Sequence, residues 1–410
     1  MTLIPHSMNI LYIIPNPPSL VRVRPYNLIR HLRVRGNRVT IATVWANAGE
    51  WNDIEALRAN GLKVIAAPLS RQQIILNLLR ALATGTPLQA EYSWQPGLKA
   101  QISDVKSQFD VVHIEHLRGA RFGLALKAQA PVVWDSVDCI TYLFEQASRQ
   151  SQSVSGKLMT WFELGRTRRH EGWLVNQFDQ VLVTSQTDKS ALENISHIKS
   201  QISNLKHPIE VLPNGVDLEY FTPGTDARQP ETVVFSGKMS YHANITAALY
   251  LAHQVMPLVW AQQPNVRLII AGSRPSPVIR KLAETYPSRV QVTGYLSDLR
   301  APLRQASVAA APLLYGAGIQ NKVLEAMACG TPVVASALAV SALQAQPGQD
   351  CLVANSPQTF AKAILALLHD PALRERVGAA GRRYVERQHD WNTIAAQLES
   401  IYEKSIRDVH

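Results

Sequence analysis

The chain reads as an α/β protein made of two doubly wound parallel sheets in tandem. Three observations predict it. Short apolar runs alternate with helical segments from residue 8 to residue 212, and the same alternation restarts at residue 232. A turn-rich stretch, PNGVDLEYFTP (213–223), and the polar PGTDARQPE (223–231) interrupt the series and mark a hinge and linker. The length, 410 residues, is enough for two domains with full cores.

The elements follow in order. MNILYII (8–14) is a buried strand, and the loop PNPPSLVRVR leads to Pro25, suited to the first helical turn. Leu28, Ile29 and Leu32 give that helix its apolar stripe, Gly36 ends it, and VTIATVW (39–45) is the next strand. KVIAAP (63–68), DVVHIEH (110–116), PVVWD (131–135) and QVLVTS (180–185) continue the strands. Helical patterns cover 71–84 and 141–174; both are amphipathic, and each suits either a core-facing helix or one lying in a lipid headgroup region. In the second series the strands are TVVFSG (232–237), RLIIAG (267–272), VQVTGY (290–295), VAAAP (308–312), PVVAS (332–336) and DCLVA (350–354). Trp391, Ile394 and Leu398 at helical spacing close the chain. In such sheets ligands lie beyond the carboxyl ends of the strands, so the loops after residues 14, 116, 135 and 185 are where function is sought in the first half.

Composition narrows the classes. Hydrophobic content of 46% with 18% charged residues is globular, and no apolar run reaches the roughly 18 residues of a membrane span. Cys139, Cys329 and Cys351 are too scattered for a disulfide framework or metal cluster, which fits a reducing cytosol. MTLIPHS lacks the pattern of a secretory signal and reads as a short tail before the first strand. Net charge is +10, and there is no acidic residue before Glu50, while Arg22, Arg24, Arg30, Arg33, Arg35 and Arg38 crowd one segment. A field of one sign suits an anionic partner such as a membrane surface or phosphorylated acceptor. No nucleic-acid-binding motif accompanies it, so nucleic acid is not expected.

The most chemical stretch is GAGIQNKVLEAMACGTPVVAS (316–336): a glycine-containing loop, a helix, a tight turn and a buried strand. Gly318, Ile319, Gln320 and Asn321 lead into a helix whose first turn offers free N–H groups and a positive dipole end. Lys322 and Glu325, three apart, share one helix face. A cation beside a diphosphate and a carboxylate one turn deeper, accepting two hydroxyl protons, would hold a nucleotide. An ordinary αβ unit with a solvated Lys–Glu pair has the same spacing.

LEAMACGTPVV (324–334) together with PNGVD (213–217) resembles the signature of the retaining glycosyltransferases of family 4, and the order of elements agrees over essentially the whole chain. The resemblance implies the GT-B fold, two Rossmann-like domains facing across a cleft. Residues 1–212 would take the acceptor, with the last helix (390–410) crossing back onto them, and 213–389 would bind a nucleotide sugar. In that family a Glu-x7-Glu pair flanks the donor, the second carboxylate on the ribose hydroxyls. Glu325 holds the second position, and Ala317 stands at the first.

Further site residues come from the same resemblance and from the loops at the strand ends. Gly237 and Lys238 fall at the phosphate loop, although the family's later cation is replaced by Ala243, and Arg274 is a candidate to supply that charge. Tyr295 and Leu296, after Gly294, fall where the family seats its base, be it uridine, guanosine or adenosine; a UDP-sugar is the first expectation. Glu115 and His116, near the carboxyl end of their strand, and Asp135 with Asp138 are the catalytic candidates, with Ser19 and Arg24 on the acceptor side. No Asp-x-Asp pair stands at a strand end, so the leaving diphosphate would be neutralised by basic side chains and a helix N-terminus, without a metal or other cofactor. The expected activity is metal-independent transfer, with retention, from a nucleoside-diphosphate sugar to a glycan or lipid-linked hydroxyl acceptor. Its expected setting is polysaccharide or glycolipid assembly in the cytoplasm, peripherally on the inner face of an anionic membrane. Ala317 and Ala243 motivate the alternative of a catalytically impaired nucleotide-sugar-binding partner or sensor, and a sugar-nucleotide epimerase is a further one.

Overall fold

The computed structural model describes residues 7–19, 22–105, 108–127, 130–150, 154–197, 208–224, 228–316 and 318–409. The expectations for Ala317, for most of the N-terminal tail and for residues 225–227 of the linker lie outside the described residues. The chain divides into two compact units, Met1–Pro213 with Trp391–His410, and Asn214–Asp390.

The first unit carries β1 (Asn9–Ile14), α1 (Val23–Val34), β2 (Arg38–Trp45), α2 (Ala48–Ala59), β3 (Lys63–Pro68), α3 (Arg71–Thr84), α4 (Leu88–Tyr92) and α5 (Pro96–Val105). It continues with β4 (Val111–Glu115), α6 (His116–Leu124), β5 (Val132–Val137), α7 (Ile140–Gln150), α8 (Val154–Leu174), β6 (Gln180–Val183), α9 (Gln186–His197) and β7 (Ile209–Val211). The seven strands form one parallel sheet in the order β3-β2-β1-β4-β5-β6-β7. Both faces are covered, so the strands are apolar almost throughout; in β1 every residue after Asn9 is buried. Ile10, Tyr12 and Ile14 face one side with α1 and α2, while Leu11 and Ile13 face the other with α4, α5 and α6.

The second unit runs β8 (Thr232–Ser236), α10 (His242–Tyr250), a π-helical turn (Leu251–Val255), α11 (Met256–Trp260), β9 (Arg267–Ala271), α12 (Pro277–Thr285), β10 (Val290–Gly294), α13 (Arg300–Gln305) and β11 (Val308–Ala311). Then come α14 (Asn321–Ala328), β12 (Val333–Ala335), α15 (Ala337–Val340), β13 (Leu352–Val353), α16 (Pro357–His369) and α17 (Pro371–Gln388). Its sheet is also parallel, ordered β10-β9-β8-β11-β12-β13, around a single core. The π turn precedes Pro257, which has no N–H to give to a regular helical ladder.

In each sheet the strand order reverses once, between β1 and β4 and between β8 and β11. A crevice opens at such a switch point because the crossover helices leave in opposite directions, and ligands bind there. The loop after β1 carries Ser19 and the helix that follows β4 begins at His116; the loops after β8 and β11 carry Gly237, Lys238 and Gly318. The fold therefore brings together residues 81 apart in sequence, Gly237 and Gly318, at one end of one sheet.

The final helix, α18 (Trp391–Val409), packs on the first unit, where Trp391, Ile394, Leu398, Ile401 and Tyr402 join the face that holds Tyr12. Arg35 at the end of α1 pairs with Glu399 at 2.6 Å. The expected single helix over 141–174 is two, α7 and α8, which pack against each other. Glu171 of α8 explains the register: its carboxylate accepts from the N–H groups of Ile140 and Thr141 at 2.9 and 2.8 Å, capping the first turn of α7. Helix α3 has its expected span; Asn77 and Ala81 are buried and Ile74 packs against the core, while Ile75, Leu79 and Leu82 are exposed. No helix among the described residues is long and apolar enough to cross a membrane.

Because Trp391 is fully buried, Trp391→Ala should destabilise the first unit by about 3–5 kcal/mol. Chemical denaturation followed by a probe in that unit measures it.

Candidate active site

In the second unit the site grows from two glycines. Gly237, directly after β8, has φ +148°, and a Cβ there would lie 2.8 Å from Asn244 Nδ2 and 3.4 Å from Lys322 Cε. Gly272, after β9, has the same φ, and any side chain would overlap the Gly237 carbonyl oxygen. Two loops thus meet with no room between them, a fit only glycine allows. Met239 N donates to Ser273 O at 2.9 Å and Ser276 N to Met239 O at 3.3 Å, which ties the loop of Arg274 to the loop of Lys238. Lys238 and Arg274 are both exposed, Arg274 at φ +53°.

Asn244 Nδ2 donates to the Lys238 carbonyl at 3.0 Å, and its Oδ1 is buried without a partner. The adjacent Ala243, at the family's second cation position, is buried in the core of α10, so no side chain there reaches the loop. The segment leading to α14 is pinned from the other side. Tyr315 stacks on His242 with rings 5.3 Å apart, and its hydroxyl meets His242 Nδ1 at 2.9 Å and Thr246 Oγ1 at 3.1 Å. Sequence reasoning missed this pair; 73 residues separate them and neither belongs to a spaced motif.

At the head of α14, Gln320 is the N-cap without a side-chain cap bond, which leaves first-turn N–H groups open. Its Oε1 instead accepts from Lys322 Nζ at 3.0 Å. Lys322 is half-buried, and burial pulls its ammonium down to about 8, against the opposing field of Glu325. Glu325 is half-buried too, and burial lifts its carboxyl to about 7, with Lys322 acting the other way. Among the described residues its carboxylate accepts no side-chain or backbone hydrogen bond. A charge kept partly out of water with no partner costs the fold stability. Ile319 differs from expectation: its side chain is buried in the core, so only its backbone faces the loop. Leu296 is half-buried against the same core, and Tyr295 is 78% exposed.

In the first unit the strand ends hold a buried polar cluster. Arg24 Nη2 and Nε bind Asp135 Oδ2 at 2.7 and 2.9 Å, and Val137 N donates to Asp135 Oδ1 at 3.1 Å. Both residues of the pair are buried. Two opposite charges taken out of water must pair, and Arg24, expected on the acceptor side, and Asp135, expected as a catalytic group, bind one another. Asp138 is lifted to about 7, chiefly by burial. Tyr12, opposite His113 in register, stacks on it at 4.1 Å and donates its hydroxyl to Glu115 at 3.0 Å. Burial and the Asp135 charge raise the Glu115 carboxyl to about 8. His113 Nδ1 meets the Tyr402 hydroxyl at 2.8 Å, so the last helix helps set this strand end. Extending the 391/394/398 spacing by one turn would have found Tyr402.

His116 opens α6 at φ +68°, a conformation costly for a non-glycine residue. Its Nδ1 accepts from Arg118 N at 3.3 Å. Burial and the Arg118 charge lower it to about 4. At neutral pH it is therefore an uncharged imidazole with its proton on Nε2, a donor aimed by backbone strain. Ser19 closes the β1 loop through its carbonyl, which accepts from Arg22 N at 2.9 Å.

Comparison with known proteins identifies this arrangement. Residues 21–220 match the family model described as Glycosyltransferase Family 4, and residues 230–370 match Glycosyl transferases group 1. The chain belongs to glycosyltransferase family 4. This glycosyltransferase is 26% identical to the phosphatidyl-myo-inositol mannosyltransferase of Mycobacterium leprae, over 85% of this chain and 90% of that protein. It is 28% identical to the GDP-mannose-dependent monoacylated alpha-(1-6)-phosphatidylinositol monomannoside mannosyltransferase of Corynebacterium glutamicum, over 64% of this chain and 71% of the other. Among solved structures it is similar to the sucrose-phosphate synthase of Thermosynechococcus elongatus, with TM-score 0.67 and 21% identity, covering 97% and 98% of the two chains. Anabaena HepE in complex with UDP and glucose matches with TM-score 0.66 and 16% identity over 97% and 100%. At these identities the structural likeness shows the fold alone, which is GT-B.

Glu325→Gln keeps the shape and removes the unpaired charge. Since burial raises the folded-state carboxyl from 4.5 to about 7, stability falls as pH rises between those two values, and the full deficit stands above about 7. The variant's melting temperature at alkaline pH should equal or exceed the parent's, as differential scanning calorimetry would show.

Proposed function

We propose that this glycosyltransferase moves a sugar, with retention, from a nucleoside-diphosphate donor to a hydroxyl acceptor, and that the second unit holds the donor. The observation that carries the reading is Glu325. Among the described residues it is a half-buried carboxylate that accepts no hydrogen bond, one turn below a helix start that also holds Lys322. Two ribose hydroxyls would satisfy it, and the diphosphate would take the open N–H groups of α14 with Lys322, Lys238 and Arg274. Gly318, Gln320 and Asn321 line the same approach, and the base would lie by Leu296 and Tyr295.

As the anomeric carbon–oxygen bond to phosphate breaks, negative charge grows on the leaving oxygen, where these cations and N–H groups already stand. The acceptor oxygen attacks from the same face, and its proton passes to the departing phosphate. A glycoside and a nucleoside diphosphate result. In the first unit the neutral His116, with its proton on Nε2, and Glu115, protonated through neutral pH, are the groups able to donate hydrogen bonds to sugar hydroxyls. The diphosphate needs no divalent metal in this scheme. The acceptor is a glycan or lipid-linked hydroxyl at an anionic membrane surface, a reading supported by the lipid acceptors named for the corynebacterial and mycobacterial relatives. A UDP-sugar is the first donor to test; GDP-mannose is the second, because the corynebacterial relative is named for it.

Calorimetric titration with a panel of UDP-, GDP- and ADP-sugars tests the reading. Glu325→Ala should weaken binding of the cognate donor by about 2–3 kcal/mol; unchanged affinity and turnover would sink it. EDTA should leave the rate unchanged, and NMR should find the product with the donor's anomeric configuration.

The pH dependence has a defined sign. Lys322 is charged below about 8 and Glu325 is charged above about 7, so donor affinity should peak between them and fall on both sides. Lys322→Arg should remove the alkaline fall, because guanidinium does not titrate there.

A further inference from the structure

Helix α3 carries apolar side chains on both sides: Ile74 and Ala81 meet the first unit's core, and a second set faces outward. Its polar Asn77 points inward, donating to the carbonyls of Tyr92 and Trp94 at 3.2 and 2.7 Å and accepting from Gln73 Nε2 at 2.9 Å. Ile75, Leu76, Leu79 and Leu82 are 57%, 60%, 58% and 46% exposed. At 3.6 residues per turn Ile75, Leu79 and Leu82 form one stripe with Leu76 beside it, and Arg71 and Arg80 flank the stripe on either side.

The apolar surface continues onto α8. Arg166 donates to the carbonyls of Leu82 (3.2 Å) and Thr86 (3.5 Å) at the end of α3, and its guanidinium lies over the Phe162 ring at 4.5 Å. Leu88 N donates to Glu163 at 2.9 Å. Trp161 and Phe162 stand 73% and 40% exposed at this junction. A single exposed leucine is ordinary, but a joined stripe of four aliphatic side chains and two aromatics marks an interaction surface.

Charge selects the occupant. On α3, and on α8 from Trp161 onward, the exposed charged side chains are Arg71, Arg80, Arg168 and Arg169, while Glu163 and Glu171 are buried. Arg168 shares Glu145 and Arg80 lies 4.0 Å from Glu91. A second copy of the chain on this face would bring arginines against arginines. An anionic bilayer would not.

We propose that α3 and the Trp161–Phe162 turn of α8 form the face by which the enzyme docks on an anionic lipid bilayer. The aliphatic stripe and the two aromatics enter the headgroup boundary, and the flanking arginines meet lipid phosphates. The proposal deepens the reading above and rests on it for the membrane setting; it replaces the Arg22–Arg38 cluster as the main contact.

Leu79→Glu/Leu82→Glu tests it, since both positions are exposed and the fold should be kept, as circular dichroism would verify. Vesicles of phosphatidylcholine with about 30% phosphatidylglycerol, at low salt, should sediment the parent and at least tenfold less of the variant. Phosphatidylcholine alone should sediment neither. Equal sedimentation of variant and parent, or none of the parent, overturns the proposal. So does gel filtration showing a parent dimer that the variant abolishes, which would make the face a self-interface. Donor titration on the same samples separates the two claims: intact donor binding without vesicle binding sinks only the docking face, and the reverse sinks only the donor site.

Discussion

The second unit is arranged around a carboxylate and an ammonium kept partly out of water at the start of one helix. Neither is neutralised by the other at close range, as their shifts show: burial is the larger influence on both, raising Glu325 and lowering Lys322. Such a pair is held at a cost in folding stability, and the surroundings explain how it persists. The Gly237–Gly272 contact lets two strand ends close on each other, the Tyr315–His242 stack fixes the loop that enters α14, and Gln320 orients the lysine. Each supports groups that the proposed reading pairs with phosphate and ribose.

The first unit uses the opposite strategy. There the charges are satisfied internally: Arg24 with Asp135, Tyr12 with Glu115, Tyr402 with His113, Glu171 with the first turn of α7. Four separated chain segments, including the last helix, meet at the carboxyl ends of β1, β4 and β5. The result is a rigid strand end from which His116, strained at positive φ, presents its ring. The Arg24–Asp135 pair is buried, whereas Glu115 and His116 are half-buried at the strand end, so the proposed reading rests on those two.

The surface carries a third device. On helix α3 an asparagine amide finds two carbonyls inside beside Ile74 and Ala81, while Ile75, Leu76, Leu79 and Leu82 face outward. An enzyme acting on a lipid-linked hydroxyl has a use for such a face; an enzyme acting on free sugars does not.

Apolar runs alternating with helical segments pointed to the two parallel sheets, since parallel strands buried on both faces must be short apolar runs, and the turn residues of PNGVD marked the hinge. The three-residue β7 was too short to show a pattern, and the break between α7 and α8 depends on Glu171, 31 residues from Ile140, capping a helix. The motif at 316–336 placed Lys322 and Glu325 because their relation is local, three residues on one helix. What only the tertiary structure decided is pairing at long range: Arg24 with Asp135 across 111 residues, Tyr402 with His113 across 289, and which side of α3 meets the core. Spacing along a chain specifies which residues share a face; which face is buried is settled by the partners that folding brings to it.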